Sequence, residues 1–203
     1  AYPDKLYQML ASLSHSRTKQ PEIVLLTPGI YNSAYFEHSY LAKEMGIDIV
    51  QGNDLVVLKD KYVYKKTIEG LIRIDVIYRR IDDDFLDPSA GNKDSLLGVE
   101  GLVDSWRNKK VSIINAPGCG IADDKAIYAF VPDMIRYFLK EEPLLNNLPT
   151  LLMTDKQNRS IVSNSFKEYV IKPVAESGGY GIVIGKSASK KEREKTIKQI
   201  RRD

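Results

Sequence analysis

Residues 168–185, EYVIKPVAESGGYGIVIG, set a lysine on an apolar strand, follow it with a glycine cluster and return on a second apolar strand. Side chains alternate along a strand, so Tyr169, Ile171 and Pro173 share one face while Val170, Lys172 and Val174 share the other. An ammonium flanked by valines on a half-buried face calls for an anion, because leaving it there unpaired is costly. Its point charge on a flexible stem suits phosphate oxygens. Gly178, Gly179 and Gly181 remove Cβ atoms from the turn, and Ser177 adds a hydroxyl donor. Such a turn allows positive φ and close approach of backbone N–H groups to a ligand. Ile182 to Ile184 then reads as a strand, whereas a Walker A motif or a dinucleotide fingerprint would open a helix at that point. The unit is strand, glycine flap, strand, closer in plan to the loop that kinases lay over ATP. An ordinary hairpin with a glycine-rich turn and a snorkelling lysine has the same pattern.

The 203 residues, 43% of them hydrophobic, suffice for one good core or two small ones. The net charge of +3 does not argue for nucleic acid. Most of the basic excess lies in the last 18 residues, where eight Lys or Arg stand against three Asp or Glu. That run, KKEREKTIKQIRR, reads as the solvated face of a helix with acid-base pairs three and four apart. The aromatic interleaving of a nucleic-acid surface is missing. Cys119 is the single cysteine, so no internal disulfide is possible and a cytoplasmic setting is expected. No run approaches the roughly 18 apolar residues a membrane span needs. Ala1 stands in place of a methionine and the last helix offers only Ile197 and Ile200 as an apolar stripe, so a fragment of a longer protein is expected.

Glu22 to Thr27 (EIVLLT) reads as a buried strand, and Asn32 or Ser33 as the cap of a helix running to Met45. On that helix Ala34, His38, Leu41 and Met45 form one stripe. Ile47 to Val50 is a second strand, residues 54–59 and 61–65 form a hairpin around Asp60, and Arg73 to Arg79 is a further core strand. A short helix over 102–108 and a strand over 111–115 follow. Strands alternating with helices predict an α/β fold, a mainly parallel sheet flanked by helices. From Gly118 onward the texture changes: Asp123 caps a helix to Phe130, Pro132 starts another, and residues 141–149 link to strands at Leu151 to Thr154 and at the Lys172 hairpin. Two domains are expected, 1–118 and a small α+β unit over 119–203.

Three apolar strands run into loops of unusual chemistry: TPGIYNS after Leu26, RRIDDDF after Tyr78 and NAPGCG after Ile114. Ligands bind outside the carboxyl ends of such strands, so these loops are expected on one rim. Each also has a plain structural reading as a turn or a helix cap. Lys125 stands in the first turn of its helix, where the macrodipole disfavours a cation, and makes sense if an anion sits at that helix start. A surface lysine paired with Asp123 and Asp124 is the alternative. His38, on the helix stripe, reads as a hydrogen-bonded core residue before a catalytic base, and Cys119 has no histidine near it in sequence.

With DVIYRRIDDDF, NAPGCGIADDKA and KPVAESGGYG in this order, the chain resembles the circularly permuted ATP-grasp family, and more distantly bacterial glutathione synthetase, over nearly its whole length. The resemblance implies a Rossmann-like pre-ATP-grasp domain over 1–118 and an incomplete ATP-grasp lid over 119–203. It implies an ADP-forming carboxylate-amine ligase that uses ATP and Mg²⁺. Lys125 and Lys172 match the two lysines that hold nucleotide phosphates, and Ser177, Gly178, Gly179 and Gly181 match the mobile flap. Arg80 and Asp82, with Arg79, Asp83, Asp84, Tyr31 and Asn32 around them, would line the acceptor side. The family's metal ligands lie outside the matched blocks, so the chain is expected to need the remainder of a full-length protein and to be inactive alone. Its partners would be ATP and carboxylate and amine substrates of unknown identity, with no nucleic acid and no membrane. Two other readings stand beside this one: a non-catalytic nucleotide-binding or scaffold module, and a metal-dependent transferase using the Asp82 to Asp84 loop.

Overall fold

The computed structural model describes residues 2–16, 20–175 and 178–201, and the chain divides into two compact units, Ala1–Gly120 and Ile121–Asp203. Among the described residues no helix is long and apolar enough to cross a membrane.

In the first unit, helix α1 (Tyr2–Ser12) precedes strand β1 (Ile23–Leu26), helix α2 (Tyr35–Met45) and strand β2 (Asp48–Val50). An antiparallel meander follows, β3 (Leu55–Val57), β4 (Val63–Thr67) and β5 (Gly70–Ile74). The chain then returns as β6 (Val76–Arg79), passes through α3 (Asp83–Leu86) and α4 (Leu102–Arg107), and ends in β7 (Ser112–Ile114). The main sheet is parallel, in the order β2-β1-β6-β7.

Both central strands are buried along their whole length, as parallel strands covered on both faces must be. Their alternation sorts side chains into two cores. Ile23, Leu25, Val76 and Tyr78 pack with Leu6, Leu10, Leu41 and Met45 of α1 and α2. Val24, Leu26 and Ile77 pack with Val63, Ile74, Leu86 and Leu102 on the other side. Each such fully buried aliphatic side chain contributes about 1.5–3 kcal/mol.

The expected strand over 73–79 is two strands broken at Asp75. There the chain crosses from the meander into the parallel sheet. Asp75 donates its N–H to the Glu22 carbonyl at 2.9 Å and accepts the Glu22 N–H on Oδ2 at 3.0 Å. Neither Asn32 nor Ser33 caps α2. The helix starts from Ala34, and Asn32 Oδ1 instead accepts the Ala34 N–H at 2.9 Å. Lys65 of β4 fastens the meander to the starts of β1 and β2 through Glu22, at 2.9 Å, and Asp48. Burial pulls its pKa down, but the hydrogen bonds to Asp48 and Glu22 outweigh that, so it is raised and Lys65 stays charged.

Asp87 performs the same service for the long loop before α4. Its Oδ1 accepts from the Ser89 N–H, the Ser89 hydroxyl and the Gly101 N–H, and its Oδ2 from the Val103 N–H at 2.8 Å. The carboxylate therefore caps α4 from outside its own sequence.

The second unit opens with helix α5 (Lys125–Met134), capped by Asp124. The expected break at Pro132 is not found: the helix runs through it and continues as a π turn over Ile135–Leu139. Proline removes the N–H that would bond the Tyr128 carbonyl. The Asn147 side-chain amide takes that carbonyl at 3.0 Å, and the Leu148 N–H bonds the Tyr128 hydroxyl. The expected strand over Leu151 to Thr154 is also absent. The carbonyls of Leu152 and Met153 are taken by Asn158 and Arg159 side chains, which bind this segment to α6 (Lys156–Asn164). The hairpin of β8 (Val170–Ile171) and β9 (Val183–Ile184) follows, then α7 (Lys190–Ile200) with a Ser189–Glu192 capping box. Val162, Phe166, Thr196 and Ile200 are its buried side chains among the described residues.

Replacing Asp87 by alanine leaves the Gly101 and Val103 N–H groups unpaired and should cost about 2–4 kcal/mol. Urea unfolding followed by Trp106, the single tryptophan, checks this, since that residue packs against the core α4 covers. An unchanged midpoint would show that Asp87 does not fasten the loop.

Candidate functional site

Parallel pairing brings the carboxyl ends of β1, β6 and β7 to one edge of the sheet. The loops that follow them therefore share a rim. Arg79, the last residue of β6, is 6% exposed and is consumed in holding that rim together. Its Nε donates to the Asn115 carbonyl at 2.8 Å, Nη1 to the Ile81 carbonyl at 2.8 Å, and Nη2 to the Ala116 carbonyl at 3.2 Å and Cys119 Sγ at 3.6 Å. Asp83 Oδ1 lies 2.8 Å from Nη1 as a charge contact without an aligned hydrogen bond. Its other oxygen accepts the Gly118 N–H at 3.1 Å.

Arg80 is the more available cation. Its backbone N–H bonds the Leu26 carbonyl, while Nη2 pairs with Glu37 at 2.9 Å and Nη1 with the Tyr78 hydroxyl at 3.1 Å. Asp82 is exposed at the start of α3, with no side-chain cap bond. Asp84 is exposed as well, so the acidic triplet points to separate tasks. Among the described residues no three His, Cys, Asp or Glu stand together to hold a metal ion. Tyr31 is 98% exposed beside Asn32. Gly29 has φ +102°, and a Cβ there would meet Gln51 Oε1 at 2.7 Å. Glu37 and Gln51 were not singled out in the sequence. Glu37 is legible only through its place one turn after the β1 loop, and Gln51 carries no local signal.

His38 is buried behind this rim. Thr27 Oγ1 accepts the Gly29 N–H at 3.2 Å and shares a hydrogen bond with His38 Nδ1 at 2.8 Å. Burial first, and the Arg80 charge second, push the imidazole below its ordinary pKa against the opposing pull of Glu37. It is a neutral core residue that orients the first loop.

In the second unit the register of β8 with β9, continued outward, sets Lys172 opposite Ile182 at the mouth of the glycine turn. The face carrying Val170, Lys172 and Val174 is exposed, which corrects the half-buried setting expected for the lysine. In so short a hairpin the valines of this face do not bury their neighbour. Gly178, Gly179 and Gly181 all have left-handed backbone, and a Cβ on Gly181 would meet Pro173 Cγ at 2.6 Å. Ser177 lies outside the described residues. Lys125 meets this segment directly: its N–H and its Nζ reach the Val174 carbonyl at 3.4 and 3.3 Å, two residues past Lys172. The structure thus brings the two lysines' segments together. Asp124 Oδ1 accepts the Ala126 and Ile127 N–H groups at 2.7 and 3.2 Å and so caps the first turn of α5.

The model of the family described as circularly permuted ATP-grasp type 2 matches residues 1–203, and the chain belongs to that family. It is 51% identical over 201 residues to an uncharacterized protein of Synechocystis, covering 99% of this chain and 42% of that protein. An uncharacterized protein of Mycobacterium tuberculosis strain H37Rv is 48% identical over 202 residues, 100% of this chain and 36% of its own length. A Frankia casuarinae protein named "Putative glutamate--cysteine ligase 2-2" is 39% identical over 180 residues, 89% of this chain and 21% of its own. The chain therefore spans less than half the length of each of these relatives.

The depressed pKa of His38 has a consequence for stability. The unfolded chain binds a proton near the ordinary value of 6.5 while the folded one binds it only at lower pH, so stability falls as pH drops through that value. The melting temperature should decrease between pH 7.5 and pH 5.5 more in the wild type than in His38→Gln, with the pH range chosen to straddle about 6.5. Equal decreases would show that His38 is not held neutral.

Proposed function

We propose that this chain is part of an ATP-dependent carboxylate-amine ligase, with the first unit as the pre-ATP-grasp domain and the second as the ATP-grasp lid. The observation that carries the reading is the meeting of Lys125 with the backbone beyond Lys172, at the base of a turn of left-handed glycines. In the proposed reaction the γ-phosphoryl group of ATP passes to a carboxylate, giving an acyl phosphate and ADP. The amine attacks the acyl carbon, an amide forms and phosphate leaves with the electron pair of the broken C–O bond.

Lys125 and Lys172 would neutralise the phosphates, and Gly178, Gly179 and Gly181 would bring backbone donors over them, with Ser177 adding its hydroxyl. Such preorganised donors act most strongly where water is excluded. Arg80, whose charge is shared with Glu37, would orient the acceptor carboxylate, and Asp82 would receive the amine's proton or hold its ammonium form. Mg²⁺, which the family implies, shields the transferring phosphoryl group when bound. The described residues do not fit it, since their carboxylates are dispersed or committed, so its ligands are assigned to the remainder of a longer polypeptide. On this reading the isolated chain binds nucleotide and does not turn over. Amide formation coupled to ADP release from these residues alone would overturn that.

Calorimetric titration with Mg-ATP tests the lid. Saturable binding should weaken roughly tenfold in Lys172→Ala and in Lys125→Met, a loss of about 1.4 kcal/mol for each. Binding that both variants leave unchanged would remove the lysines from the site, and no binding by the wild type would remove the nucleotide site from this part of the protein.

A further inference from the structure

The helix α5 and the π turn after it contain no buried residue. Phe130, Met134 and Tyr137 fall at helical spacing on one stripe, exposed to 45%, 38% and 69%, with Phe138 beside them at 73%. Leu144 and Leu145, a few residues further along the chain, are exposed to 100% and 84%. A surface helix of this composition buries its apolar stripe, and a stripe left exposed marks a contact surface.

The tract is held in shape. Arg136 pairs with Asp133 at 3.1 Å and with Glu142 at 3.0 Å across the turn, and Tyr137 packs edge-on against Phe138 with centroids 4.9 Å apart. Asn147 and Leu148 tie the following strap to Tyr128. Side chains without a partner gain nothing from such ordering, whereas a docking face gains preorganisation. Its rim is charged with both signs, Asp133, Arg136, Lys140 and Glu142, as an apolar contact surrounded by polar residues requires.

We propose that this face seats a segment of the same polypeptide that lies outside these residues. The occupant is argued from length: the Synechocystis and Mycobacterium relatives match this chain across its whole extent while more than half of each lies beyond the match. The inference rests on the reading that these residues work inside a longer chain, and on no part of the ligase chemistry. The segment presents an apolar face of regular secondary structure, because an irregular backbone laid over Phe130, Met134 and Phe138 would leave its N–H and C=O groups unpaired there.

Hydroxyl-radical footprinting of Tyr137 and Phe138 tests this, comparing the isolated chain with the full-length polypeptide. Oxidation should be several-fold slower in the full-length protein. Phe138→Asp should leave the unfolding midpoint of the isolated chain unchanged and lower that of the full-length protein. Equal oxidation in both, or protection already present in the isolated chain with sedimentation as a dimer, would overturn the proposal, the second outcome assigning the face to another copy. Neither readout involves nucleotide, so the result stands apart from the Mg-ATP titration.

Discussion

A single buried guanidinium holds the carboxyl edge of the parallel sheet in place. Burying a charge is costly unless each donor finds an acceptor. Arg79 meets that condition with backbone carbonyls from two loops and a carboxylate from one of them. The planar fork is what allows it: a lysine in the same place would offer a point charge and could not reach the Asn115, Ile81 and Ala116 carbonyls together. Because those acceptors are backbone atoms, the loops cannot rearrange without unpairing the guanidinium. The rim is rigid for the same reason that Arg79 is unavailable to a ligand. The neighbouring Arg80, one residue past the strand end and balanced by Glu37, is left to face outward.

The strands of the main sheet were legible because buried parallel strands are continuous apolar runs, as EIVLLT and DVIYR are. The shared rim followed from topology. What escaped the sequence were departures from that regularity decided by distant partners. Asp75 breaks a strand through its bonds to Glu22, a residue far away in the chain. Pro132 remains inside a helix because Asn147 satisfies the carbonyl it releases. Leu151 to Thr154 has the apolar character of a strand, yet its carbonyls go to α6 side chains. Local propensity carries none of this, since each outcome is fixed by a partner outside the segment itself.

The candidate site divides along the same line. Positive φ at the flap glycines could be anticipated because few other residues tolerate it. The exposure of Lys172 could not, because period-two alternation says which residues share a face and not whether that face is covered. The division of labour between Arg79 and Arg80 was equally hidden: adjacent in sequence, one closes the core and the other opens onto the rim.

Phosphoryl transfer asks a protein mainly for positioning and for charge placed where charge develops. In the first unit both arginines already face carboxylates, so the rim has little positive charge to lend to a triphosphate. Glu37, Asp82, Asp83 and Asp84 outnumber Arg79 and Arg80 there. In the second unit Lys172 is exposed at the mouth of the glycine turn and Lys125 meets the same segment at Val174, while Asp124 is engaged in capping α5. On the proposed reading, nucleotide recognition thus belongs to the hairpin, and the rim suits a substrate group that can share Arg80 with Glu37. A carboxylate can do so by displacing Glu37, the half-exposed partner, an exchange of one charge-assisted contact for another. That exchange would make the acceptor side a site of selectivity and leave the lid to supply most of the electrostatic stabilisation.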